Sequence, residues 1–374
     1  MKFTIITHVS HTKKDGRFFA YGPYVREMNL WLKYVDTVEI VAPFSYEFPN
    51  SIDLSYNMDS IQFTPIKSFT AIGIKGKISA LFAIPKILLA IFKAMKSADH
   101  IHLRCPGNVG LLGCLVQILF PNKQKTAKYA GNWDPNAKQP LSYKIQKWIL
   151  SNTLLTKNMQ VLVYGEWNNQ TKNSKSFFTA SYSETIITSI ENKSFKEPIK
   201  LLFVGTLSAG KQPEYAFELV KKMHSQGHQV QLNVYGEGFL KESLKEFIIQ
   251  NNLHDCIFMH GNVDEKTVRN AYQNSHFLIL PSKSEGWPKV VAEAMFWGCI
   301  PFATKISCIP TMLGTNEERG VFLKMDSDQD NSKISAIFSN PDLYFDMAEK
   351  GKNWSRKFTL EHFSQEIKQL LIHD

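Results

Sequence analysis

Two carboxylates, Glu285 and Glu293, stand on either side of Pro288 in the stretch PSKSEGWPKVVAEAMFWG, and their spacing suggests a binding chemistry. Proline has no backbone N–H, so it costs least in the first turn of a helix, and the sequence predicts a helix opening at Pro288. The amides of Lys289 and Val290 then have no intrahelical acceptor and stand at the positive end of the helix dipole, a setting suited to a phosphate. Glu293 lies roughly 7–8 Å further along the axis. The two glutamates are therefore too far apart to share a proton and are placed to grip separate parts of one elongated ligand. Glutamates are mostly exposed, but Ala292, Ala294, Met295, Phe296 and Trp297 surround Glu293, and a carboxylate among apolar side chains needs a polar partner.

Two further loops in the same half of the chain have matching character. FVGTLSAGK places Gly205 and Thr206 after a strand and Lys211 before a helix, and VYGEGFLK places Gly236, Glu237 and Gly238 at another strand-to-helix turn. Glycine lets a backbone approach closely, and a lysine ammonium is a point charge for phosphate. Three such loops outline a pocket for a nucleoside diphosphate. No metal site is expected: His8 with His11 and His224 with His228 lack partners at ligand spacing, and Asp326 to Asp328 reads as a helix-capping loop.

The elements that must hold these loops alternate. Apolar runs such as Leu201–Val204, Val230–Tyr235 and Phe277–Leu280 read as strands, and Pro213–Gln226, Leu240–Asn251 and Asp264–Gln273 read as helices. The first half repeats the rhythm with strands at Phe3–Val9, Val38–Ala42, Ile61–Ile66, His100–Arg104, Thr126–Ala130 and Val161–Tyr164. A polar stretch from Gln170 to Pro198 interrupts it, with a linker expected near 184–198. The fold class is α/β: two Rossmann-like, doubly wound domains, 1–190 and 191–355, with ligand at the carboxyl ends of the sheets facing a central cleft.

The 374 residues carry a formal net charge of +9. Residues 1 to 195 hold 23 Lys plus Arg against 12 Asp plus Glu, and the remainder 20 against 22, so the positive charge belongs to the first half. Read as helical, the stretch Lys75 to Lys96 puts Lys75, Lys86, Lys93 and Lys96 on one side and Ile84, Ile87 and Ile91 opposite, which leaves two readings: a core-packed helix with a basic outside, or a helix lying on an anionic membrane surface. Five scattered cysteines argue against a disulfide framework and for a reducing cytoplasm. No transmembrane span and no nucleic-acid partner is expected.

At FVGTL…GK, YGEG, HGNV (Gly261) and SEGWPKVVAEAMFWGCIP, with its E-x7-E spacing, the chain resembles the family 4 glycosyltransferases of the GT-B fold. The resemblance implies retaining, metal-independent transfer of a sugar from a UDP- or GDP-sugar, which is a substrate and leaves no cofactor to hold. By matching positions Lys211 neutralises the pyrophosphate, Lys289 and Val290 hold the phosphates, Glu293 accepts from the ribose hydroxyls, and Glu285 contacts the donor sugar. Thr206 stands where relatives commonly carry an arginine. The first half departs further. KYAGNWDP has Ala130 where many relatives carry a histidine, which leaves Asn132, Trp133 and Asp134 as donor or acceptor contacts, with His102 and Arg104 of the IHLR strand as further candidates. Gly22 matches the family's acceptor-facing glycine loop. The resemblance also implies a terminal helix, within 356–374, that packs back on the first domain.

The expected function is transfer to a glycan or lipid-linked acceptor in surface polysaccharide biosynthesis, on the cytoplasmic face. The catalytic candidates are Glu285, Asp134 and His102. Two alternatives share the nucleotide pocket: a GT-B sugar-nucleotide epimerase or hydrolase, and a non-catalytic sugar-nucleotide-binding protein.

Overall fold

The structure, a computed structural model, describes residues 1–50, 52–69, 73–168, 170–187 and 193–372, and the side chains of 73–79 lie outside the description. It divides into two compact units, Met1–Phe178 with Phe363–Asp374, and Thr179–His362. The linker expected near 184–198 thus falls within the second unit, with 188–192 outside the described residues.

The first unit is built on a seven-stranded sheet. Across it run Ser174–Phe177, Met159–Tyr164, Gln124–Tyr129, His100–Cys105, Lys2–Ile6, Thr37–Pro43 and Ile61–Ile66, every neighbouring pair parallel. Strands such as TVEIVAP and KFTII are almost wholly buried, the continuous apolar pattern that a parallel sheet covered on both faces requires. Helices Gly73–Ser97, Asn108–Val116 and Leu141–Ser151 bury Ile87, Ile91, Leu112 and Ile149 in one core with Ile101, Leu103 and Val161 of the sheet. A small antiparallel sheet of His11–Lys14, Arg17–Tyr21 and Asp53–Ser55 follows the first strand. The helix Leu360–Leu371 brings Phe363 against Phe177 and Phe178, where its ring and that of Phe177 close over the buried Lys128.

The second unit has a six-stranded parallel sheet ordered Ile257–Gly261, Val230–Tyr235, Ile199–Val204, Phe277–Leu280, Ile300–Thr304 and Val321–Leu323. Its helices start where the sequence supplies caps. Asp264 accepts from the Thr267 amide ahead of Glu265–Asn274, Asp326 from Asp328 and Gln329 ahead of Ser327–Phe338, and Asn340 from Leu343 ahead of Pro341–Ser355. The D-S-D segment is therefore a helix cap, as its spacing suggests.

Numbered within its own unit, each sheet has the order 3-2-1-4-5-6, and the first adds a seventh strand beyond the sixth. That is the doubly wound order. Its first and fourth strands diverge into loops running opposite ways, which leaves a crevice at their carboxyl ends.

Candidate functional site

In the second unit the diverging strands are Ile199–Val204 and Phe277–Leu280. Their following loops are the two that sequence singled out, and they are bonded to each other: the Lys283 amide donates to the Gly210 carbonyl, and the Lys211 ammonium donates to Glu285 Oε1 at 2.5 Å. The Glu285 side chain is only 10% exposed and Lys211 29%, so the pair is shielded from bulk water yet reachable from the crevice. Around it the loop is tied down. Ser307 Oγ and Cys308 Sγ both donate to the Gly286 carbonyl at 3.0 Å, and Thr304 Oγ1 donates to the Ser282 carbonyl at 2.5 Å. Burial pushes the Cys308 thiol up to about 12, which keeps it a neutral donor.

Pro288 is the N-cap of the helix Lys289–Phe296, one position ahead of its expected place in the first turn. Lys289 and Val290 are accordingly the first helical residues, both half-buried. The glycine turns are packed backbone on backbone. A Cβ on Gly236, whose φ is +139°, would lie 1.9 Å from the Gly205 carbonyl oxygen, and one on Gly238 would lie 2.2 Å from that of Leu207. The Leu207 amide donates to the Glu237 carbonyl at 3.0 Å, so Gly205, Thr206 and the Gly236–Gly238 turn form one rigid edge. Glu237 itself is paired with Lys241.

Glu293 has the polar partners that its apolar surroundings demand. Ser181 Oγ donates to one carboxylate oxygen at 2.5 Å and the Tyr272 hydroxyl to the other at 3.1 Å. Tyr272 is fully buried. Burial, then the charge of Glu293, holds its pKa well above the usual phenol value, so the hydroxyl remains a donor. Ser181 and Tyr272 were not legible as site residues. The only trace was the requirement that Glu293 be paired, which does not say with what.

The first unit places its candidates differently. Asn132 and Asp134 lie after the strand Gln124–Tyr129 in consecutive Asx turns: Asn132 Oδ1 accepts from the Asp134 amide and Asp134 Oδ1 from that of Asn136. Both are half-buried and remain accessible. Three expectations need correction. Trp133 is 5% exposed, with its ring against Tyr129 and under Lys147, so it packs the core. His102 is fully buried between Phe3 and Trp31, with Nδ1 on Thr126 Oγ1, and offers no surface to a substrate. Gly22 is buried, and a Cβ there would lie 2.4 Å from the Ile52 carbonyl, so its glycine serves close packing. Arg104 is drawn inward too, joining Lys128 on Glu27 at 2.6 and 3.3 Å. At the first unit's own strand divergence His8 is exposed, set against Gly107, where an added Cβ would fall 2.7 Å from Nδ1.

Among the described residues no group of three or more His, Cys, Asp or Glu stands together as metal ligands, and no helix is long and apolar enough to cross a membrane.

Residues 185–354 match the family of glycosyl transferases group 1. An uncharacterized glycosyltransferase of Haemophilus influenzae is 26% identical over 183 residues, covering 49% of this chain and 50% of that one. The chain spans half or less of the length of the first curated relatives it matches, 50%, 44% and 36%. Among solved structures, HepE of Anabaena in complex with UDP and glucose aligns with a TM-score of 0.66 at 13% identity over 99% of each chain. WaaG, a glycosyltransferase involved in lipopolysaccharide biosynthesis, aligns with a TM-score of 0.64 at 11% identity over 100% of each.

Proposed function

We propose that this chain, which has the GT-B fold and whose residues 185–354 match the group 1 glycosyl transferases, is a retaining glycosyltransferase using a UDP- or GDP-sugar. The acceptor is a glycan or lipid-linked saccharide, and the product enters a surface polysaccharide. The reaction runs on the cytoplasmic face without a metal and transfers a hexose. The observation that carries this reading is the Lys211–Glu285 pair beside the start of the helix Lys289–Phe296, at the strand divergence of the second unit. HepE, solved with UDP and glucose, and WaaG, which acts in lipopolysaccharide biosynthesis, support the donor class and the pathway class.

On this reading the diphosphate sits at the amides of Lys289 and Val290 and attracts the Lys211 ammonium, which exchanges a carboxylate partner for a phosphate. Charge developing on the leaving diphosphate is then met by a fixed cation and fixed dipoles. Glu285, released from Lys211, accepts from hydroxyls of the donor sugar. Each Glu293 oxygen already accepts one hydrogen bond and keeps a further lone pair for a ribose hydroxyl. The Gly205, Thr206 and Gly236–Gly238 edge lets the donor approach backbone closely. Asp134 and Asn132 are the accessible acceptor-side groups of the first unit.

Thermal shift with UDP, GDP and their sugars tests the donor class. A nucleotide at 100 times its dissociation constant stabilises by about 2.7 kcal/mol, and no shift with any of them overturns the reading. A product assay with labelled donor then separates transfer of an unchanged sugar from release of an altered one, and both from binding without turnover.

A further inference from the structure

The first unit's outer helical layer has an unusual surface. The helices Gly73–Ser97, Asn108–Val116 and Leu141–Ser151 lie side by side over one face of the sheet, sharing its core. Soluble helices normally turn a charged or polar stripe outward. Here the stripe of the first helix runs Phe82, Lys86, Leu89, Lys93, Lys96 at spacings of four, three, four and three residues. Phe82 is 73% exposed and Leu89 54%, with Leu81 beside them at 69%. The same helix buries Ile87 and Ile91, so its apolar residues were not too few to be hidden. The other two helices repeat the pattern. Leu115 and Leu119 stand out beyond the second, and Leu141 and Trp148 from the third, with the exposed Lys144 between them.

Charge on this layer has one sign. The three helices contain no Asp or Glu, and Lys86, Lys93, Lys96 and Lys144 stand exposed on them. A face meant for water would mix signs, and one meant for a second copy of itself would bring lysine against lysine. Lysines beside exposed Phe, Leu and Trp match a surface that is anionic at its boundary and apolar beneath: the ammonium reaches headgroup phosphates while its stem and the neighbouring rings enter the acyl region. A groove of about 390 Å³ beside the edge strand Ile61–Ile66 has the same composition, with Lys67 and Lys86 over Phe82, Ala83 and Ile87.

We propose that this three-helix layer is a docking face for an anionic lipid bilayer, lying in its interface without crossing it. The contact is broader than the single lysine-bearing helix that the sequence suggested. It rests on the proposed use of a lipid-linked acceptor, which such docking would bring within reach, but its test needs no donor or acceptor, so the two readings fail separately.

The full chain is floated with vesicles of 70:30 phosphatidylcholine and phosphatidylglycerol, and with phosphatidylcholine alone. The expected result is binding to the first that falls at least tenfold on phosphatidylcholine alone and in K86Q/K93Q/K144Q. Trp148 and Phe82 are exposed, so their replacement leaves the core intact. W148S and F82S should each weaken binding several-fold while the melting temperature holds, and brominated lipid should quench less fluorescence in W148F than in the parent. Undiminished binding in these variants, equal binding to both vesicles, or failure to bind either overturns the proposal. So does light scattering that shows a dimer which W148S and F82S convert to monomer, since a second copy would then cover the face.

Discussion

The two units share a strand order and differ in where they put their charges. At the strand divergence of the second, Lys211 and Glu285 are paired on loops at the crevice, above a helix start. In the first, the strand ends near the same place turn charge inward: Glu27 is held by Arg104 and Lys128, and Lys128 is sealed by Tyr164, Phe177 and Phe363. One topology thus supports two uses of ionic groups. A pair that must exchange partners with a ligand sits where water and ligand can reach it, whereas a buried pair holds the framework and cannot be given up without cost.

That contrast can be broken at several points. Glu27→Gln should cost the first unit about 3–5 kcal/mol by removing the carboxylate that Arg104 and Lys128 share, with nucleotide affinity at the second unit unchanged. Chemical denaturation and calorimetry check both halves of the statement, and a matching loss of affinity would contradict it. Gly236→Ala should cost about 3 kcal/mol, since overpacking and a positive φ each cost about 1–3. It should also abolish nucleotide binding, because the Gly205 carbonyl must move from the crevice edge.

Acid should affect both units alike. His11 donates from Nδ1 to the Val9 carbonyl and accepts at Nε2 from Tyr56, and His276 accepts at Nδ1 from the Lys200 amide and donates from Nε2 to the Ser194 carbonyl. Each is fixed as one neutral tautomer, and burial lowers each pKa to about 4. The unfolded chain, with histidine near 6.5, then binds more protons between pH 6.5 and 4. Stability from these groups is fully present above 6.5 and is lost as pH falls through that window, by about 3 kcal/mol for each. Melting scans of the parent and His11→Gln check this: the variant should lose less between pH 7 and 4. Smallest is Tyr272→Phe, expected to weaken nucleotide binding by about 1.5 kcal/mol through a less well-held Glu293, with Ser181 still bonded. No change would mean that Tyr272 only fills space.

Much of the framework was legible because it rests on local rules. Val230–Tyr235, Phe277–Leu280 and Ile61–Ile66 fall where apolar periodicity places them. The hairpin His11–Tyr21 was missed although Asp15-Gly16 announces it: both have positive φ, the conformation that such two-residue turns require. Ser174–Phe177 was hidden inside a polar stretch because an edge strand need bury little, and Ile300–Thr304 because Pro301 argues against a strand. The donor-side loops were read from glycines and charges adjoining strands. The pairing of Lys211 with Glu285, 74 residues apart, comes from sheet order and has no local signature. In the first unit a strand buried on both faces gives polar residues no side that marks solvent, so His102 read as a site residue while packed in the core.

The central claim is that the second unit's crevice binds a nucleoside diphosphate through Lys211. Titrating UDP, or GDP if that gives the larger thermal shift, into the parent and into Lys211→Ala by calorimetry tests it most directly. The account predicts saturable binding to the parent that weakens at least tenfold in the variant while the melting temperature stays within a few degrees. Equal affinity in the two proteins would contradict it.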